Sequence, residues 1–99
     1  MMPSRRKLVL TKAFEKSYKK FISGNNSLKA AIAKTLYMLQ DDVYDPPLRT
    51  HKLSGRLASY LACSCGYDCR IIFVIEKDLS DPGAENIVLL DIGSHDDVY

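Results

Sequence analysis

No stretch of this 99-residue chain stays apolar for long. A membrane-crossing helix takes roughly 18 or more consecutive apolar residues, and no run approaches that. The start, MMPSRRKLVLT, is basic, but its apolar stretch of about three residues falls short of the ~7–15 that a secretion signal needs. A cytoplasmic protein with no membrane contact is expected. Cysteine is sparse: Cys63, Cys65 and Cys69 are an odd number in a chain without an export signal, so reduced thiols are expected. A metal site would need a fourth ligand, His51 or His95, and Cys-x-Cys-x-x-x-Cys is not a standard metal-knuckle spacing. No metal and no cofactor are expected. Repeats, linkers and low-complexity segments are also lacking, so residues 1–99 read as a single domain with one modest core.

The net charge of +2 conceals a strong polarity. Residues 1–20 carry seven Lys/Arg and one Glu, whereas residues 71–99 carry one Lys and seven Asp/Glu. A basic half on a near-neutral protein is a plausible footprint for a polyanion, although a solvated helix face produces the same pattern.

KLVLT (7–11) is apolar and β-branched, which predicts a short strand. Thr11 is a good N-cap for KAFEKSYKKF, where Phe14, Tyr18 and Phe21 recur at helical spacing. SGNNS ends that helix, with Gly24 as the left-handed residue and Asn26 or Ser27 as the next cap. A second helix follows, LKAAIAKTLYMLQDD, with Leu28, Ile32, Leu36 and Leu39 on one face. Two helices joined this closely are expected to pack as a hairpin. VYDPPLRTHKLSGRL reads as a loop. LASYLACS (57–64), CRIIFVIEK (69–77) and NIVLLDIG (86–93) read as strands; the second is central, and Gly66 turns the first hairpin. The order β-α-α-β-β-β predicts an α+β two-layer domain, an antiparallel-rich sheet with the helical hairpin on one face.

HKLSGRLASYLACSCGYDCRIIFVI, followed after a turn by IVLLDIGSHDDVY, resembles the RelE superfamily of bacterial toxins, and within it the YafQ branch. The resemblance rests on a His-x-Leu-x-Gly turn, a strand with a Tyr, an Asp-x-Arg-hydrophobic-hydrophobic strand and a Gly-Ser-His ending on an aromatic. It covers essentially the whole chain and is most specific over residues 51–99. It implies a small RelE-like fold and a toxin of a type II toxin–antitoxin system. Such a toxin cleaves messenger RNA on the ribosome by metal-independent attack of a ribose 2′-hydroxyl. The partners implied are the ribosome and its message, a cognate antitoxin of ribbon-helix-helix type, and operator DNA reached only through the antitoxin complex.

Attack by a 2′-hydroxyl needs a base, positive charge or donors on the phosphate, and an acid at the leaving oxygen. By resemblance His95 is general base or acid, and His51 supports proton transfer or positions phosphate. Asp68 orients a histidine or holds a ribose hydroxyl, and Tyr99 stacks on a base or donates a proton. Arg70, two residues beyond Asp68, is expected on the same strand face, where it would neutralise the phosphate. The two histidines are expected to converge on one sheet edge. Lys12, Lys16, Lys19 and Lys20, with Lys52 and Arg56, are candidate contacts to ribosomal RNA. The chain departs from the YafQ branch at Ala62 and Ser64, where that branch has a carboxylate and a histidine. Asp91 stands where it has a basic residue, and Cys69 where it has tryptophan. A gyrase-inhibiting relative of the ParE kind, and a toxin that has lost catalysis but still binds its antitoxin, therefore stay open.

Overall fold

The computed structural model describes residues 6–53, 59–66 and 68–94. A five-stranded sheet is covered on one face by two helices. The elements in chain order are β1 (Lys7–Leu10), α1 (Lys12–Ile22), α2 (Asn26–Asp41), a 3-10 turn (Pro46–Leu48), β2 (His51–Lys52), β3 (Leu61–Ser64), β4 (Arg70–Lys77) and β5 (Glu85–Gly93). The sheet order is β1-β5-β4-β3-β2; β1 runs parallel to β5 and every other pair is antiparallel. This is the α+β two-layer architecture expected, with β4 at the centre and one further short strand, β2. His51 and Lys52 lie in that strand, not in a loop, because they pair with Ala62 and Leu61.

Thr11 caps α1 as expected: its hydroxyl accepts from the Phe14 amide at 3.1 Å and donates to the Leu89 carbonyl at 2.8 Å, which ties the helix start to β5. Phe14 is buried in the core, with Tyr18 and Phe21 packed against it. Gly24, at φ 70, ends the helix. The next cap is Asn25, whose side-chain oxygen accepts from the Leu28 amide at 2.9 Å, and not Asn26 or Ser27, which already lie within the helix. On α2, Ile32 and Leu39 are buried, with Leu28 and Leu36 packed on the core.

Directly opposed residues in a sheet project to the same side, so the register sorts the two faces. Leu61, Phe73 and Leu89 form one row under the helices, and Cys63, Ile71 and Ile92 form the next. Leu89 and Ile92 differ in parity, and regular alternation would send them to opposite faces. A bulge reconciles them: Ile72 pairs with Asp91 and Phe73 with Leu89, leaving Leu90 without a partner.

One expectation is corrected here. Cys65 and Cys69 are joined by a disulfide, with Cα atoms 5.1 Å apart, while Cys63 is a buried thiol. The reason is the hairpin: the Cys65 amide donates to the Cys69 carbonyl at 3.1 Å, which sets the two side chains face to face. Burial pushes the Cys63 thiol up to about 12, against a smaller opposing effect of Arg70, so it stays protonated.

Candidate functional site

The β3–β4 hairpin and the segment after the 3-10 turn wall an open cleft of about 630 Å³, lined by Pro47, Arg49, Ser64, Gly66, Asp68 and Arg70. Each wall has a local cause. Two successive prolines favour the tight turn at Pro46–Leu48, and the turn ends when Arg49 adopts φ 51 with its amide donating to the Pro46 carbonyl at 3.1 Å. On the other side the disulfide closes a turn in which Gly66 (φ 122) and Asp68 (φ 51) both have left-handed backbones. Arg49 and Asp68 are the non-glycine residues at positive φ among the described residues, and both line this cleft. Such residues cost of order 1–3 kcal/mol each and tend to cluster where a site demands them.

Asp68 thus sits in the turn ahead of β4 and not on the strand face expected for it, yet it and Arg70 meet at the cleft. Arg70 is half-buried and held in place: its Nη1 donates to the Cys69 carbonyl at 3.0 Å and reaches the Ser64 hydroxyl at 3.5 Å. That hydroxyl donates to the Gly66 carbonyl at 3.1 Å, so Ser64 links the guanidinium to the turn. Gly93 opposes Arg70 across β5 and adds no side chain beside it.

His51 is exposed on β2, with its Nδ1 2.9 Å from the Arg49 carbonyl. Donation from Nδ1–H to that carbonyl leaves the lone pair of a neutral ring on Nε2. His51, Ala62, Ile72 and Asp91 stand in one row across four strands, on the face away from the helices. β2 and β5 are separated by two strands and are not neighbours, so the convergence of histidines expected at one sheet edge does not arise from strand adjacency. His95, Tyr99 and Arg56 lie outside the described residues.

Lys12, Lys16, Lys19 and Lys20 are all exposed on α1, and Lys52 is exposed on β2. Because α1 covers the core face of the sheet, its lysines form a surface separate from the His51 row. Arg49 is the residue that sequence reasoning missed. Its one signal was a position just after Pro-Pro-Leu and two before His51, a spacing with no periodic meaning. Among the described residues, no group of three or more His, Cys, Asp and Glu side chains is placed to hold a metal ion, and no helix is long and apolar enough to cross a membrane.

The arrangement offers two guanidiniums and a carboxylate at an open cleft, a combination suited to a phosphate beside a hydroxyl-bearing sugar. The family profile of YafQ, a bacterial toxin of type II toxin-antitoxin systems, matches residues 6–99. Among solved structures, YafQ from E. coli is 13% identical, with 96% of this chain and 99% of that chain covered at a TM-score of 0.68. The YoeB/ParE toxin from Agrobacterium tumefaciens is 15% identical, with coverages of 90% and 98% at a TM-score of 0.72. A chain of the E. coli DinJ-YafQ toxin-antitoxin complex is 13% identical, with coverages of 96% and 98% at a TM-score of 0.68. At such identities these structures speak for the fold alone. Comparison with curated protein sequences finds no match. The family profile spans almost the whole chain, and the protein belongs to the YafQ family of toxins of bacterial type II toxin–antitoxin systems.

Proposed function

We propose that this toxin is a ribosome-dependent endoribonuclease that cuts messenger RNA by 2′-hydroxyl transesterification. The observation that carries this reading is the meeting of Asp68 and Arg70 at one cleft, on backbone held in left-handed geometry and closed by a disulfide. The 2′-oxygen attacks the adjacent phosphorus, the bond to the 5′-oxygen breaks, and a cyclic phosphate and a 5′-hydroxyl remain. One proton leaves the 2′-hydroxyl for a base and another reaches the departing 5′-oxygen from an acid. The nucleophile is part of the substrate, so the reaction calls for no metal-bound water.

His95 and His51 are assigned the proton transfers, Asp68 the orientation of an imidazole or ribose hydroxyl, Arg70 the phosphate charge, and Tyr99 stacking or proton donation. The exposed lysines of α1, with Lys52 and Arg56, contact ribosomal RNA, which makes association salt-sensitive and insensitive to base sequence. A complex of DinJ with YafQ supports neutralisation of this chain by a cognate antitoxin. The whole of residues 1–99 acts as one domain in the cytoplasm.

A second reading has its own observation. The row His51–Ala62–Ile72–Asp91 carries buried apolar side chains at its centre and a carboxylate at its end. A toxin that binds its antitoxin without cutting RNA would tolerate that row. Induced expression of wild type and His95→Ala, with primer extension on a translated message, separates the readings. Growth arrest with cuts inside codons, lost in His95→Ala, supports the nuclease. Arrest with intact messages moves the target elsewhere, and absence of arrest favours the binding partner.

A further inference from the structure

The fold does not require an arginine at position 49. The local structure uses only its backbone: the amide closes the turn on Pro46, and the carbonyl lies 2.9 Å from Nδ1 of His51. Any residue but proline supplies those two groups. At φ 51 glycine would do so without steric penalty, and asparagine nearly so. The Arg49 side chain is exposed, lines the cleft, and pairs with no carboxylate among the described residues. A long cationic side chain in a backbone conformation that disfavours it therefore has its reason outside local structure.

Arg70 shows what that reason is. Its Nη1 is already engaged by the Cys69 carbonyl and the Ser64 hydroxyl, so part of its hydrogen-bonding capacity serves its own placement. A phosphodiester presents two non-bridging oxygens, and negative charge grows on both as the attacking 2′-oxygen adds at the apical position opposite the leaving 5′-oxygen. A second guanidinium from the facing wall answers that demand. We propose that Arg49 is a phosphate-binding residue of this site, holding with Arg70 the phosphodiester that is cut. The inference rests on the ribonuclease reading above and adds a residue to it.

The test is cleavage of a message on ribosomes by wild type, Arg49→Gly and Arg49→Lys, with the melting temperature of each. Glycine keeps the Arg49 carbonyl beside His51 and relieves the backbone, so it isolates the guanidinium. Arg49→Gly is expected to lower kcat/KM about tenfold or more with a melting temperature equal to or above that of wild type. Arg49→Lys recovers only part of the rate, because a point charge does not replace a planar fork. The slope of log kcat/KM against log salt becomes shallower by about 0.7 in Arg49→Gly, the loss of one contact to a single-strand phosphate. Cleavage by Arg49→Gly at the wild-type rate overturns the inference, as does a loss accompanied by a lower melting temperature and no recovery with lysine. Wild type that cuts no message removes the ribonuclease reading itself, a failure visible in the control and distinct from one at Arg49.

Discussion

At Asp78 the chain leaves β4, and two donors from Ser80 converge on one carboxylate oxygen, the hydroxyl at 2.7 Å and the amide at 2.9 Å. These bonds, with Lys7 at 3.8 Å, hold the Asp78 carboxyl below its ordinary 3.8. A carboxyl depressed in the folded state contributes stability that is fully present above its unfolded pKa and is lost as pH falls through the folded one. Asp78→Asn should therefore unfold at lower urea than wild type at pH 7. The gap should begin to close below about pH 4 and vanish once the wild-type carboxyl is protonated, which urea titrations at stepped pH will read. The same scale shows what was legible in the site. His51, Asp68 and Arg70 stood out by residue type and order. Arg49 did not, because a left-handed backbone at a non-glycine residue leaves no mark in the sequence.

Among the elements, α1 and α2 were legible almost to the residue, since apolar spacing and short polar caps act locally. Thr11 does more than cap. Its hydroxyl serves the Phe14 amide and the Leu89 carbonyl together, so it joins helix to sheet. Thr11→Ala should cost about 1–2 kcal/mol by denaturant titration, while Thr11→Ser recovers most of the loss. Equal stability of Ala and Ser would show that the hydroxyl contributes nothing. The two-residue β2 was illegible for a physical reason: its pairing partners, Leu61 and Ala62, lie about ten residues away, beyond any local pattern. Asn25 was passed over as a cap because three consecutive polar residues, Asn25, Asn26 and Ser27, all have capping side chains.

Over the whole molecule, β4 runs between two unlike ends. The hairpin end holds the cleft with Arg49 and Arg70. The far end, around the turn from Asp78 to Glu85, gathers Asp41, Asp42, Asp78, Asp81 and Glu85 with Arg6 and Lys7. The charge polarity of the sequence thus becomes partly an intramolecular match, as in the Arg6–Glu85 pair at 3.0 Å. Across the cleft end, the Cys65–Cys69 disulfide restrains the turn that carries Asp68. A bridge over so short a segment is worth about 2 kcal/mol in the chain-entropy account. Reduction by a dithiol should lower the melting temperature on the order of 10 °C. The Cys65→Ser/Cys69→Ser double variant should melt near the reduced protein and ignore the reductant. A wild type equally indifferent to reductant would mean that the bridge contributes no stability.

Local sequence carried the layer architecture, both helices with the cap at Thr11, the strands β1, β4 and β5, and the residue types that place the chain among these toxins; of the strand expected over 57–64, the pairing begins only at Leu61 among the described residues. Those features follow from periodicity and capping, which act within a few residues. The tertiary structure alone decided the bulge at Leu90, which turns Asp91 away from the core while returning Ile92 to it. It also decided the pairing of Cys65 with Cys69 and the convergence of Arg49 with Arg70, which lie in separate segments. Each depends on the register of one segment against another. Register is set by how side chains from distant parts of the chain fill one core, and no local pattern encodes it.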